Sequence, residues 1–116
     1  MKDFKRLIVW QKGIQLFIDC HKFCRKLPSE EKYELASQLR RAAFSIPANI
    51  SEGSAKATNA HKKIYLENAL GSSYEVETAV LAIIDLYPAF KPECELYLGV
   101  CIEVQKMLVA LINKLS

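Results

Sequence analysis

Apolar positions along this chain recur every three to four residues, the period of a helix with one buried face rather than of a strand. Within segment 8–26, Trp10, Ile14, Phe17, His21 and Cys24 follow steps of 4, 3, 4 and 3 and form one stripe. Leu27-Pro28-Ser29 ends it, because Pro28 disfavours helical backbone at Leu27. Ser29 is then placed to cap a second helix, with Glu30 and Glu31 in its first turn, where the helix dipole favours acids.

The second segment spans about 30–52, with Leu35, Leu39, Ala42, Ile46, Ile50 and Gly53 at near-heptad spacing. Pro47 lies inside it, removes a backbone donor and crowds the Ala43 carbonyl, so a kink or a break is expected near 44–47. A small-residue linker at 54–57 leads to Thr58, a suitable N-cap for a third helix over 58–87. Two adjacent stripes run along that helix. One is Tyr65, Ala69, Ser72, Val76, Ala79 and Ile83; the other is Leu66, Leu70, Ser73, Glu77, Val80 and Ile84. Pro88 stops it, and Pro92 opens a fourth helix from a first-turn position. Tyr97, Cys101, Val104, Leu108, Leu111 and Leu115 line the core face of that last helix.

Three short connections between long helices make sequential helices antiparallel neighbours. The expected fold is all-α: one domain over 1–116, an antiparallel up-and-down left-handed four-helix bundle with helix two kinked near Pro47. A three-helix core with an extension is the alternative if Pro47 splits helix two.

Composition agrees with this. The chain has 116 residues, 51% of them hydrophobic, with only four Gly and four Pro. That is enough apolar content for one packed core and too few turn residues for an all-β chain. No apolar run approaches the roughly 20 residues needed to cross a bilayer, and the charged N-terminus lacks signal-peptide character. A cytoplasmic protein with no membrane partner is expected.

No catalytic constellation is legible. Cys20 and Cys24, and Cys94 and Cys101, keep helix-face spacings, and His21 and His61 complete no zinc pattern. Reduced, buried thiols are expected, with no metal and no cofactor. Glu30-Glu31-x-x-Glu34 is half of an acidic magnesium site, but the second E-x-x-D that such helical pyrophosphohydrolases need is missing. No arginine stands four to six residues before a histidine as in helical ribonucleases, and no phosphate-binding glycine loop is present. Neither an enzyme nor a small-molecule substrate is expected.

Some polar residues fall where a bundle wants apolar ones. Arg40 and Arg41 lie beside the Leu39/Ala43 face, and Glu75 and Glu77 lie on or beside the stripes of helix three. Buried carboxylates need partners, so Arg40 or Arg41 is expected to pair with Glu75 or Glu77 across the bundle.

Charge is unevenly spread. Residues 1–63 hold 13 Lys/Arg and 6 Asp/Glu, net +7; residues 64–116 hold 3 and 7, net −4. An up-and-down bundle gathers Lys2, Lys5, Arg6, Lys12, Lys56, Lys62, Lys63 and Lys114 at one pole, against Asp3, Glu52 and Glu67. Such a pole can meet a phosphate backbone, with Arg6, Lys12, Lys56, Lys62 and Lys63 as the expected contacts with RNA or DNA. The runs 79–84 and 107–112 are apolar around much of the helix, more than one core-facing stripe requires. A homo-oligomer is therefore expected.

Finally, several blocks resemble a known family. They are Leu7-x-Val9-Trp10-Gln11-Lys12; Leu27-Pro28-x-x-Glu31-x-Tyr33-x-Leu35; Gln38-Leu39-Arg40-Arg41-Ala42-Ala43-x-Ser45-Ile46-Pro47-x-Asn49-Ile50-x-Glu52-Gly53; and Ala69-x-Gly71-Ser72-x-x-Glu75-x-Glu77-Thr78. Together they resemble, over about residues 4–87, the four-helix-bundle family also called the 23S rRNA intervening-sequence or S23 proteins. The resemblance implies a bacterial cytosolic protein that assembles as a ring, a homopentamer, without enzymatic activity. That family is itself similar to the accessory protein of diversity-generating retroelements, a basic pentameric bundle that binds nucleic acid. The patterned positions Arg40, Arg41, Asn49, Glu52, Glu75 and Glu77 then either form a buried polar network or line an interface. The alternative to nucleic-acid binding is a scaffold that contacts only proteins.

Overall fold

The computed structural model describes residues 3–116, so Lys2 of the expected basic pole lies outside the described residues. Four α-helices make up the architecture: α1 Ile8–Phe23, α2 Leu35–Ser54, α3 Asn59–Leu86 and α4 Lys91–Lys114; 3₁₀ turns connect α1 to α2 and α3 to α4, and a four-residue loop over 55–58 connects α2 to α3. Each helix packs on two neighbours, α1 on α2 and α4, and α3 on α2 and α4. Side-chain registers show that the neighbours are antiparallel. Gly13 of α1 faces Ile46 and Pro47 of α2, whereas His21 meets Arg40. Gly53 faces Tyr65 of α3, whereas Ser45 meets Ser72. At 28 residues α3 is about 42 Å long at 1.5 Å per residue. It accounts for the long dimension of the 44 × 22 × 20 Å rod.

The helix ends largely follow the local signals. The Thr58 side chain accepts the His61 N–H at 3.2 Å and caps α3. Pro88 ends α3 by opening a 3₁₀ turn, and Pro92 sits in the first turn of α4. The expected start of helix two fails. It begins at Leu35, not near residue 30, because Ser29–Glu31 forms a separate 3₁₀ turn without a Ser29 cap and Glu34 leaves helical backbone at φ −113°, ψ −97°. The Tyr87 hydroxyl donates to Glu31 at 2.6 Å and ties that turn to the end of α3. Of the two outcomes expected at Pro47, a break does not occur: α2 runs through it, and the proline ring is buried against α1 at Gly13.

The core runs the length of the rod. Leu16, Phe23, Leu39, Ile46, Ile50, Leu66, Val76, Val80, Ile83, Val104 and Leu108 are fully enclosed, interleaved with small residues such as Ala43, Ala69 and Ser73. In α1 the buried face is Val9, Gly13, Leu16, Cys20 and Phe23, one residue back from the expected stripe. The reason is the close approach of α2: a Cβ at Gly13 would lie 3.2 Å from Ile46 Cγ2. The line of contact therefore follows the small residues, while Trp10, Phe17 and His21 cover its edge half-buried. At the end of the rod away from the N-terminus, Phe23 meets Phe90 and Tyr97 edge-on at 5.2 and 5.6 Å. Nearby, Glu93 joins Lys26 at 3.0 Å and accepts from Tyr97 at 3.2 Å.

Candidate functional site

The start of α1, the end of α2, the start of α3 and the end of α4 meet at one pole, as antiparallel order requires. Leu7, Asn59, Lys62, Leu66, Leu111, Lys114 and Leu115 line a groove there of about 390 Å³. A second groove, sharing Leu7 and Leu111, adds Arg6. The pole thus brings together Arg6, Lys62 and Lys114 from three elements. Lys56 stands beside them: its carbonyl accepts the Lys62 ammonium, and its own ammonium sits 4.8 Å from the centre of the Tyr65 ring.

The remaining expected contacts are placed differently. Lys12 is engaged with Glu103 of α4 at 3.1 Å, so its charge is answered within the chain. Lys63 is half-buried and lines neither groove. Arg6 reaches Asp3 at 3.9 Å only, and its side chain is 88% exposed. In water so loose a pair contributes little, and Arg6 keeps a charge that a ligand can use.

The expected cross-bundle pairing is not formed. Arg40 donates through Nη2 to the His21 carbonyl at 3.2 Å, and Arg41 reaches Ser37 Oγ at 3.4 Å. Glu77 instead accepts from Gln105 Nε2 at 2.8 Å. The cause is placement: Arg40 lies on the α1 side of α2 and Glu77 on the α4 side of α3. Glu75 and Glu52 are exposed. Asn49 donates to the Ser45 carbonyl and hydroxyl at 2.8 and 2.9 Å, and Ser45 Oγ lies 2.8 Å from Ser72 Oγ. Of the six patterned residues, only Asn49 therefore joins an α2–α3 polar cluster, and its partners are serines. The sequence reading missed Gln105, whose only signal was a polar residue beside a core position.

All four cysteines are free and buried. Burial raises every thiol, Cys94 to about 11 and Cys101 to about 12, the latter also through the Glu77 charge. Such thiols are neither nucleophiles nor ready ligands. Among the described residues no group of three or more His, Cys, Asp or Glu is placed to hold a metal ion, and no helix is long and apolar enough to cross a membrane.

Known proteins place this geometry. No curated protein matches the chain at a significant level. A crystal structure from Bacteroides thetaiotaomicron, described as a protein of unknown function from the S23 ribosomal protein family, superposes with a TM-score of 0.84. It is 24% identical, and the match covers 90% of this chain and 98% of that one, which bears on the fold. The family described as 23S rRNA-intervening sequence protein matches residues 5–110, nearly the whole bundle. The chain belongs to the 23S rRNA-intervening sequence protein family.

Proposed function

We propose that this protein is a non-enzymatic subunit that self-assembles through its α3–α4 face and presents its basic pole to RNA or DNA. One observation carries the assembly. Tyr74 and Leu81 lie three before and four after Glu77, and Ile102 and Val109 stand in the same relation to Gln105. Residues at those spacings share a helix face, so the four flank the Glu77–Gln105 hydrogen bond that joins α3 to α4. They are 51, 50, 40 and 41% exposed. Four exposed apolar side chains grouped around one polar pair mark a contact surface. A second copy of the chain is the simplest occupant, and a pentameric ring is the form the family resemblance implies.

Ring assembly would repeat Arg6, Lys56, Lys62 and Lys114 around one face, turning weak phosphate contacts into avid ones. Light scattering at rising concentration tests the first part. The parent should run as an oligomer, and Leu81→Glu with Ile102→Lys should return it to the 13.2 kDa monomer. A monomeric parent at high concentration would remove the assembly. For the second part, affinity for an oligonucleotide should fall steeply with salt and fall again in Lys62→Glu/Lys114→Glu. An assembled protein that binds no nucleic acid at low salt would leave the scaffold reading in its place.

A further inference from the structure

On the half of the bundle away from the basic pole, α1, α2 and the turn before α2 border a shallow, open groove of about 470 Å³ lined by Phe17, His21, Lys32, Tyr33, Arg40 and Arg41. An adjoining groove shares Lys32 and Arg40 and adds Arg25. No acidic residue lines either one. Glu30 and Glu34 lie on the same turn outside the linings, and Glu31 is occupied by the Tyr87 hydroxyl.

We infer that this α1–α2 groove binds a nucleotide unit, with phosphate held by Lys32, Arg40 and Arg41 and the base laid against Tyr33. The first support is the state of Arg40. Its guanidinium is partly buried and answered by no carboxylate among the described residues; Nη2 has one carbonyl partner and the buried Nε has none. A partly buried cation without a counter-charge is costly, and a phosphate in the groove would offset part of that cost through charge-assisted hydrogen bonds. The second support is the aromatic wall. Tyr33 is 83% exposed, more than any other large apolar side chain of the described residues, and the Lys32 ammonium lies 5.4 Å from the centre of its ring. Phe17 forms the opposite side, stacked edge-on with Phe44 at 5.3 Å and tilted against His21 at 5.6 Å. Cations beside an open aromatic ring are the means by which proteins hold single-stranded nucleotides. An acidic peptide would use the arginines but leave Tyr33 idle.

The ligand could be a free nucleotide or one residue of a single strand, and the experiment separates these. Titrate the full chain at low salt with adenosine monophosphate, inorganic phosphate, a short single-stranded oligonucleotide and a glutamate-rich peptide. Repeat with Arg41→Glu and Tyr33→Ala, both exposed positions whose thermal melts confirm folding, and with Lys62→Glu at the basic pole. Arg41→Glu should weaken nucleotide binding by more than about tenfold. Tyr33→Ala should weaken it by about fivefold or more, the worth of one stacked base, without changing inorganic phosphate binding. Binding of the monophosphate itself assigns a free-nucleotide site; binding of the oligonucleotide alone assigns a strand site. The inference is overturned if both groove variants bind as the parent does, or if the acidic peptide competes as well as the nucleotide. If Lys62→Glu alone abolishes oligonucleotide binding, the pole is the site and the groove is not. If the groove variants alone lose it, the pole proposal fails and this one stands.

Discussion

Glu77 of α3 accepts a 2.8 Å hydrogen bond from Gln105 of α4, where an arginine from α2 was the expected partner. The same glutamine lies 3.7 Å from the buried Cys101 thiol, which donates to the Ser73 carbonyl at 3.2 Å. A single polar seam thus runs from the surface of the α3–α4 interface into its core. A double-mutant cycle on Glu77→Ala and Gln105→Ala should return a coupling of about 0.5–1.5 kcal/mol. The cycle of Glu77→Ala with Arg41→Ala should return none. Coupling in the second and not the first would contradict the registers described above.

Glycines sort by what lies beside them. At Gly53 a Cβ would meet Tyr65 Cβ at 3.0 Å and the Lys62 carbonyl at 3.4 Å, so the end of α2 touches α3 through this residue. Gly53→Ala should destabilise by about 1–3 kcal/mol, since the backbone must shift. Gly71 and Gly99 have nothing within 4 Å and sit mid-helix. Alanine there should stabilise by about 0.5–1 kcal/mol in chemical denaturation of the isolated subunit. A loss of oligomer in either of the latter two, with stability gained, would place that residue in the assembly contact.

Thiol chemistry should report on folding. With all four cysteines buried and raised, iodoacetamide at pH 8 should add nothing to the native protein within minutes and four adducts in denaturant, read by mass. Rapid native labelling of Cys94 or Cys101 would show that α4 opens locally.

The Tyr87–Glu31 bond makes a pH signature. Tyr87 is pushed up to about 12, chiefly because its hydroxyl donates to Glu31. The folded protein therefore holds this proton more tightly than the unfolded chain, where tyrosine loses it near 10. The bond's contribution is complete below pH 10 and disappears as the pH climbs towards 12. Tyr87→Phe should melt earlier than the parent at neutral pH, and the difference should close across that window. A difference that stays constant to pH 12 would mean that the lost contact is not this hydrogen bond.

Much of this protein is written locally. The four helices, the Thr58 cap, the stops at Pro28 and Pro88 and the antiparallel order all follow from apolar periodicity, breaker residues and short connections. Such signals act within one or two helical turns, so they survive when the chain is read without its neighbours. Membership of the family was legible for a related reason: the block from Gln38 to Gly53 is contiguous. The packing of one helix on another was decided elsewhere. Whether α1 buries Trp10 or Val9 depends on how closely α2 approaches Gly13, a distance no single helix contains. The turn before α2 is tied to Tyr87, 56 residues past Glu31 along the chain. Arginine partners were misread because a helical wheel shows which face a residue occupies but not which neighbour that face meets. Only the closed four-helix array turns Arg40 towards α1, hands Glu77 to Gln105, and leaves a cationic, aromatic groove at one end and a basic pole at the other.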